Sequence, residues 1–435
     1  MGKVILARRH VRGANSPFKV ISFLLMGLAF GGCLGYGVMS TAHAIMEING
    51  GNNNQPDKIT STHTNQQLKQ TTKAKQKATS KSVNGGGKGA GGSSSSNNIV
   101  PLAEGTLHVL TTSNGSPYQN YQMRIAYATY NLVLSMPGGD RFTGFTRILH
   151  RTKPDELMDE IPTFRANPLQ PECDNWCEYP VSDRADAVQQ FFDASKKDPS
   201  MIKAPWLYMI ESDYVFMKPV EVPPVKTKTT AGKAWAFPFD YINPALFPNE
   251  MKQLWPDGEP GDIPNAGPAP LIMSVEDWKL VIPDWVRLAA AIEADEKIKR
   301  RLGWVREMYG FSIALAKNGL DVDLTPPGSN QLISQLPIDK GLEHAHAFHY
   351  TQCTIYKSIA GDEDVWKYDK RFYTSAEVAL NVPLIEEPPE KFEAGKWKFI
   401  EGNPVTEEKH EAIRAMVKQM NKGIATLKPI TAAVA

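Results

Sequence analysis

Hydrophobic and polar positions divide the chain into three stretches of unlike pattern. From Val20 to Met39 the sequence is almost continuously apolar, and Lys3, Arg8, Arg9, Arg12 and Lys19 precede it. A run of that length crosses a bilayer as a helix, and positive charge on its N-terminal flank predicts an N-in, C-out topology. Ala42-His43-Ala44 also fits the small-x-small pattern of a cleaved leader, but the length of the run favours an uncleaved signal anchor over 20–39. Residues 1–19 then form a basic cytoplasmic tail. Residues 40–98 are mostly Asn, Gln, Thr, Lys, Ser and Gly, ending in Gly91-Gly92-Ser93-Ser94-Ser95-Ser96. So little apolar surface cannot offset the entropy of ordering, and this stretch reads as a flexible luminal stem.

Beyond Ile99 the period changes. Residues 106–112 alternate as a strand, and Ser116-Pro117 caps a helix reaching about Leu134. Residues 143–150 read as a second strand, 183–197 as a helix and 206–210 as a wholly apolar strand. Short strands follow at 234–239 and 270–273, then helices at 276–280, 284–296 and 303–317, the last closed by Asn318-Gly319. Strands alternating with helices predict an α/β domain over 99–425 with a mixed, mostly parallel sheet. Ligands of such sheets bind at the carboxyl ends of the strands. Residues 426–435 read as a flexible C-terminal tail.

Composition narrows the function more by exclusion than by indication. A formal net charge of +1 over 435 residues gives no electrostatic reason to expect nucleic acid. Four cysteines are too few for a disulfide scaffold, although Cys173 and Cys177 are close enough in sequence to close a small loop. No GxGxxG or GxxxxGK[ST] follows a strand and no GxSxG is present, which argues against dinucleotide-binding, P-loop and serine-hydrolase chemistry.

The candidate chemistry clusters at strand ends. The apolar run Trp206 to Ile210 stops at Glu211-Ser212-Asp213. Two carboxylates there are costly to bury unless a cation or ligand meets them. On an extended backbone they share a face, as needed to hold a hard divalent ion bridging to a nucleotide diphosphate; a polar turn is the plainer explanation. Thr111 and Thr112 end the first strand, where they could hold a nucleotide or simply form a β–α turn. Arg147, near the end of the second strand, carries a fork that matches phosphate oxygens, though a surface arginine would look the same. An acidic loop opens at Asp155 and could bind sugar hydroxyls or a peptide, or merely face solvent. Glu307 lies beside the stripe Trp304, Met308, Phe311 and Leu315, so burial could raise its pKa into a catalytic range. Pairing with Arg300, Arg301 or Arg306 is its structural alternative. Of His344, His346 and His349, an extended segment puts two on one face and the third on the other, so one histidine completing the shell of Asp213 fits better than a three-histidine site.

Longer blocks tie these pieces together. Gly144-Phe145-Thr146-Arg147-Ile148-Leu149-His150, Pro154-Asp155, and the run from Leu157 to Phe164 come first. Glu211-x-Asp213, Ala236-Phe237-Pro238-Phe239-x-Tyr241-Ile242, Gly303-Trp304-Val305-x-Glu307-Met308-Tyr309, His349-Tyr350-Thr351 and Asp369-Lys370-Arg371-x-Tyr373 follow in order. Over roughly 106–375 the chain resembles the plant and algal hydroxyproline O-arabinosyltransferases, with which the peptidyl serine α-galactosyltransferases share much of the pattern.

The resemblance implies a GT-A-like glycosyltransferase, a single-pass type II protein of the Golgi membrane or endoplasmic reticulum with a luminal catalytic domain. It implies transfer of L-arabinofuranose from its UDP sugar to hydroxyproline of secreted cell-wall proteins or peptides. It also implies Mn²⁺ on Asp213 and His349, with Glu211 assisting; Thr111, Thr112, Arg147, Asp155 and Glu211 are then the candidates for the donor side, and Glu307 for the residue facing the reacting carbon or acceptor hydroxyl. The chain departs from the usual pattern at Ser212, Tyr214 and Met123, and at Asp240 where a phenylalanine is usual. Asp240 is therefore a second candidate catalytic residue that bears on sugar or acceptor preference. A catalytically silent luminal lectin or scaffold of the same fold is the alternative from another class.

Overall fold

The apolar run at Trp206–Ile210 forms the middle of a seven-stranded sheet. The structure is a computed structural model and describes residues 102–223, 234–351 and 353–431. The expected cytoplasmic tail, anchor and stem lie outside the described residues. Among those described, no helix is long and apolar enough to cross a membrane.

The sheet is built from β1 (Leu107–Ser113), β2 (Phe142–His150), β3 (Thr163–Ala166) and β4 (Trp206–Ile210), then β6 (Ala234–Ala236), β7 (Leu271–Ser274) and β8 (Val322–Asp323), while β5 (Tyr214–Phe216) leaves it for a smaller sheet. Its order is β3-β2-β1-β4-β7-β6-β8. β1 pairs in parallel with β2 and β4, β2 with β3, and β6 with β8. β7 runs antiparallel to β4 and β6, so the mostly parallel reading holds with one reversed strand. All five residues of β4 are buried, as expected of a strand covered on both faces.

Helix α1 (Pro117–Leu134) starts as the sequence predicts, with Pro117 in its first turn and the Ser116 hydroxyl accepting from the Gln119 amide at 3.4 Å. Helices α2 (Arg184–Lys197), α3 (Pro248–Leu254), α4 (Val275–Glu293), α5 (Glu296–Leu302) and α6 (Arg306–Lys317) follow. The break expected between residues 280 and 284 does not occur: α4 runs through Pro283 without interruption. An interior proline costs about 3 kcal/mol. Here Trp278, Val281, Ile282, Trp285, Leu288 and Ile292 form a fully buried stripe on one face, and that burial outweighs the lost hydrogen bond.

Two small sheets have no counterpart in the sequence reading. β9 (Ile333–Gln335) and β10 (Ala347–His349) join β5, with β10 antiparallel to β5 and parallel to β9. Strands β11 (Thr354–Ser358), β12 (Asp364–Tyr368) and β13 (Trp397–Phe399) pack with α7 (Ala376–Leu380) and α8 (Glu407–Ile424) in a second core rich in Tyr, Trp and Met. Arg124 of α1 is wholly buried and joins distant parts of the chain. Its Nε and Nη2 donate to Glu160 at 3.0 and 2.7 Å, and further N–H groups donate to the carbonyls of Leu380 and Lys428, both at 2.6 Å. Residues 426–430, read as the start of a loose tail, are thereby tied to the domain, and the Ile430 amide donates to Leu380 at 3.1 Å.

Two core histidines make stability depend on pH. Burial pushes His108 down to about 4, with Lys203 adding to the effect, and burial pushes His346 down to about 3. Each stays neutral in the fold while the unfolded chain takes up a proton near pH 6.5. Their contribution is therefore complete above pH 6.5 and is lost as the pH falls towards 4 and 3, at about 1.4 kcal/mol per pH unit per residue at most. Urea denaturation between pH 7 and 4 is expected to show this fall, and His108→Asn to flatten the slope while lowering stability at pH 7.

Candidate active site

Glu211 and Asp213 converge, though not by strand alternation. β4 ends at Ile210, and Ser212 and Asp213 form a turn that leads into β5. The turn brings the two carboxylates together because β5 leaves the main sheet to pair with β10. In that pairing His349 lies opposite Tyr214, and the Tyr350 amide donates to the Asp213 carbonyl at 3.3 Å. Ligand atoms of Glu211, Asp213 and His349 consequently lie within 4.8 Å of one another. His349 Nε2 is 3.3 Å from Asp213 Oδ2 and 3.7 Å from Glu211 Oε2. His344 is exposed, and His346 is fixed in the core by Tyr208 Oη at 2.7 Å and the Lys218 carbonyl at 3.2 Å. Only one of the three histidines therefore reaches the site.

The site is a buried charge cluster, and two of its cations escaped the sequence reading. Lys370 Nζ pairs with Asp213 Oδ2, and Tyr118 at the start of α1 lies in the field of both. Burial alone would raise the Asp213 carboxyl, but Lys370 and His349 outweigh it and hold the group well below the usual carboxylate range. Arg184, the first residue of α2, pairs with Glu211 Oε1 at 3.1 Å through Nη2 and faces Glu307 Oε2 at 3.6 Å through Nη1. Burial pushes Glu307 up to about 7; Arg184 opposes the shift and Glu211 adds to it. Arg184 sits at a helix start, where sequence gives a cation no distinguishing mark. Lys370 did stand in a quoted block, but its partner is 157 residues away.

The donor set is two carboxylates and one imidazole, which suits a divalent ion that accepts oxygen and nitrogen. His349 is buried, yet neither ring nitrogen makes a hydrogen bond of acceptable geometry. With Glu307 ionised, three carboxylates (Glu211, Asp213, Glu307) face two permanent cations (Arg184, Lys370), which leaves the cluster one positive charge short. Both observations fit a metal there.

The remaining expected residues divide. Thr111 is buried and its hydroxyl has no hydrogen-bond partner; it pairs with Ile210, next to Glu211, and Thr112 beside it is half-buried. Arg147 is not an open diphosphate clamp. Its side chain and that of Asp155 are buried and joined two-fold, Nη1 to Oδ2 at 2.8 Å and Nη2 to Oδ1 at 2.5 Å. Arg147 also donates to Thr163 Oγ1 and Asn120 Oδ1, so its fork is filled by the protein. Asp240 is exposed on a turn near Asp339, outside the buried cluster, whereas the adjacent Tyr241 feels Glu211, Asp213 and Arg184. A cavity of about 660 Å³ opens near the other ends of β1 and β4, lined by Leu102, Pro205 and Trp206 among others, and holds no such cluster.

A parallel-centred α/β sheet with an acid–histidine cluster at a strand end is an arrangement suited to nucleotide-sugar transfer, and the comparisons with known proteins agree. The pattern of the hydroxyproline O-arabinosyltransferase family N-terminal domain matches residues 107–324. Hydroxyproline O-arabinosyltransferase 3 of Arabidopsis thaliana is 32% identical over 327 residues, covering 74% of this chain and 81% of that one. Hydroxyproline O-arabinosyltransferase RDN2 of Medicago truncatula is 29% identical over 65% of this chain and 75% of its own. Among solved structures, the galactosyltransferase LgtC with donor and acceptor sugar analogues overlaps 56% of this chain and 87% of its own, at 10% identity and a TM-score of 0.29. So loose an overlap carries no argument. The chain is a glycosyltransferase. It belongs to the hydroxyproline O-arabinosyltransferase family.

The Arg147–Asp155 assignment is open to measurement. Asp155→Ala would leave a buried guanidinium unpaired, so it is expected to lower unfolding free energy by about 3–5 kcal/mol in urea denaturation. A folded variant of unchanged stability that had lost only UDP affinity would return the pair to the donor site.

Proposed function

We propose that this protein transfers L-arabinofuranose from its UDP sugar to the hydroxyl of hydroxyproline in secreted proteins or peptides, in a metal-dependent reaction. The observation that carries this reading is the convergence of Glu211, Asp213 and His349 at the end of β4 in a chain of this family. The proposed metal ligands are Asp213 and His349, with Glu211 assisting, and the proposed ion is Mn²⁺. When bound there, the ion supplies Lewis-acid neutralisation of the charge developing on the UDP leaving group.

The chain's own residues have separable roles in this reading. Thr111 and Thr112, at the end of β1, offer hydroxyls and amides to the nucleotide. Lys370, paired to Asp213, is a fixed cation on the diphosphate side of the cluster. Arg184 orients Glu211 and Glu307 together and keeps Glu307 from rising further. Glu307 faces the reacting sugar carbon or the acceptor hydroxyl; its ionised form either balances positive charge at the carbon or takes the hydroxyl proton. Exposed Asp240, replacing the usual phenylalanine, tunes sugar or acceptor preference. The proposed setting is the luminal side of the Golgi membrane or endoplasmic reticulum, with the chain anchored once through 20–39. The support for that topology is the basic flank before an apolar run.

The direct experiment incubates the protein with UDP-arabinofuranose, Mn²⁺ and a hydroxyproline-rich peptide and follows pentose addition by mass spectrometry. Transfer from UDP-galactose to serine instead would reassign it to peptidyl serine α-galactosyl transfer. In thermal melts, UDP with Mn²⁺ at about 100 times its Kd is expected to stabilise the protein by about 2.7 kcal/mol. Asp213→Asn should abolish that shift and lower kcat by about 10²–10³; an Asp213→Asn protein that kept both would sink the metal assignment, whereas a wild-type melt that UDP and Mn²⁺ leave unchanged would support a silent scaffold. Because Glu307 must be ionised, log kcat/KM should rise with pH and level off above about 7. Arg184→Gln, which removes the opposing cation, should move that limb to higher pH.

A further inference from the structure

Two tryptophans stand in solvent beside this site. Trp304 is 64% exposed and Trp176 is 77% exposed. Isolated exposed apolar side chains are ordinary on protein surfaces. These two differ because the backbone that presents them is fixed to the backbone of Glu307.

The link is Tyr179. Its hydroxyl donates to the Trp304 carbonyl at 2.8 Å and accepts from the Glu307 amide at 3.3 Å. Its ring meets Trp304 edge-on, with centroids 5.2 Å apart, and the Arg306 guanidinium covers it at 3.3 Å. Gly303, at φ 65°, makes the bend that turns the chain from α5 to Trp304. Trp176 is held from the other side: the Cys173–Cys177 disulfide closes its loop, and Gln170 Nε2 donates to the Tyr179 carbonyl at 3.2 Å. Three residue steps separate Trp176 from Tyr179, so their Cα atoms are at most about 11 Å apart.

We propose that Trp304 and Trp176 are the acceptor-peptide platform: each stacks on a prolyl or hydroxyprolyl ring of a polyproline II segment, which brings a neighbouring hydroxyl towards Glu307. This rests on the peptide-glycosylating function proposed above and adds the residues that select its acceptor. A polyproline II helix repeats every three residues and advances about 9 Å per turn, so rings at i and i+3 lie on one face and can meet two aromatic side chains on one surface. Rigid aromatic faces suit such a preformed segment because little entropy is lost on docking. Charge adds a second selection. From Pro171 to Tyr179 the loop carries Glu172, Asp174 and Glu178 and no basic residue, so the preferred segment carries a lysine or arginine near its prolines.

The test uses the full chain and three synthetic peptides: a hydroxyproline-rich peptide with lysine, the same peptide with glutamate for lysine, and a glycine–serine peptide of equal length. Calorimetry should show the lysine peptide binding best and the glycine–serine peptide not binding. Trp304→Ala should weaken the lysine peptide about tenfold and the Trp176→Ala/Trp304→Ala pair still more, with affinity for UDP–Mn²⁺ within twofold of wild type. Trp304→Phe, which keeps a ring, should restore most of the binding. A double variant that binds the lysine peptide within twofold of wild type overturns the proposal, as does a wild type that binds no proline-rich peptide. Transfer separates the two readings. A peptide that binds as expected but receives no sugar leaves the platform standing and refutes the transfer reaction. Transfer with a peptide KM that the double variant leaves unchanged does the reverse.

Discussion

The structure depends on the neutralisation of charge at the end of β4. Three carboxylates, an arginine, a lysine and a histidine meet where one central strand leaves the sheet, and nearly all are buried. None would be stable there alone, since an unpaired buried ion costs several kcal/mol. The cluster persists because its members come from elements that the hydrophobic cores hold rigidly: β4 and the turn after it, the starts of α2 and α6, strand β10 and the segment after β12. Packing therefore precedes the electrostatics, and the electrostatics in turn dictate which side chains the packing must present. The shortage of positive charge that remains gives a metal ion a reason to bind.

The cluster has two halves. Asp213, His349 and Lys370 hang on the small sheet and the segment after β12, while Glu307 and Arg184 belong to helices packed on the main sheet. Glu211, paired to Arg184 and 3.7 Å from His349, belongs to both. A change in charge at one half is thereby felt at the other through a short chain of ion pairs. The raised Glu307 carboxyl reflects the same arrangement, since it lies in the field of both Arg184 and Glu211. The Tyr179 hydroxyl, bonded between Trp304 and Glu307, extends the arrangement to the surface.

Much of this was legible in the residues. Five of the main sheet's seven strands (all but β3 and β8), the cap of α1, the carboxylates after β4, the histidine His349 and the carboxyl Glu307 follow from local pattern or from the ordered blocks. The failures have physical causes. Separate helices were expected at 276–280 and 284–296 because local propensity is all that a window of sequence contains, whereas a buried face of tryptophans and aliphatic residues carries one helix through Pro283. β5, β9 and β10 are three residues each, too short for any periodicity to be measured. Arg147 and Asp155 carried the residue types of a phosphate clamp, yet each is the other's partner in the core. A fork aimed at phosphate and a fork aimed at an aspartate look identical in sequence.

What the sequence by itself determined is the kind of molecule: an α/β domain preceded in the chain by an apolar run and a polar stretch, with carboxylates at a strand end and the blocks of one glycosyltransferase family. Those properties are written in near neighbours, in spacing and in composition. Only the tertiary structure decided which of many charged residues share a site. Arg184 and Lys370 entered it, Arg147 and Asp155 were withdrawn into the core, and Asp240 stayed at the surface. The reason is that burial and pairing are set by contacts between residues as far apart as Asp213 and Lys370, and no local pattern records such a distance.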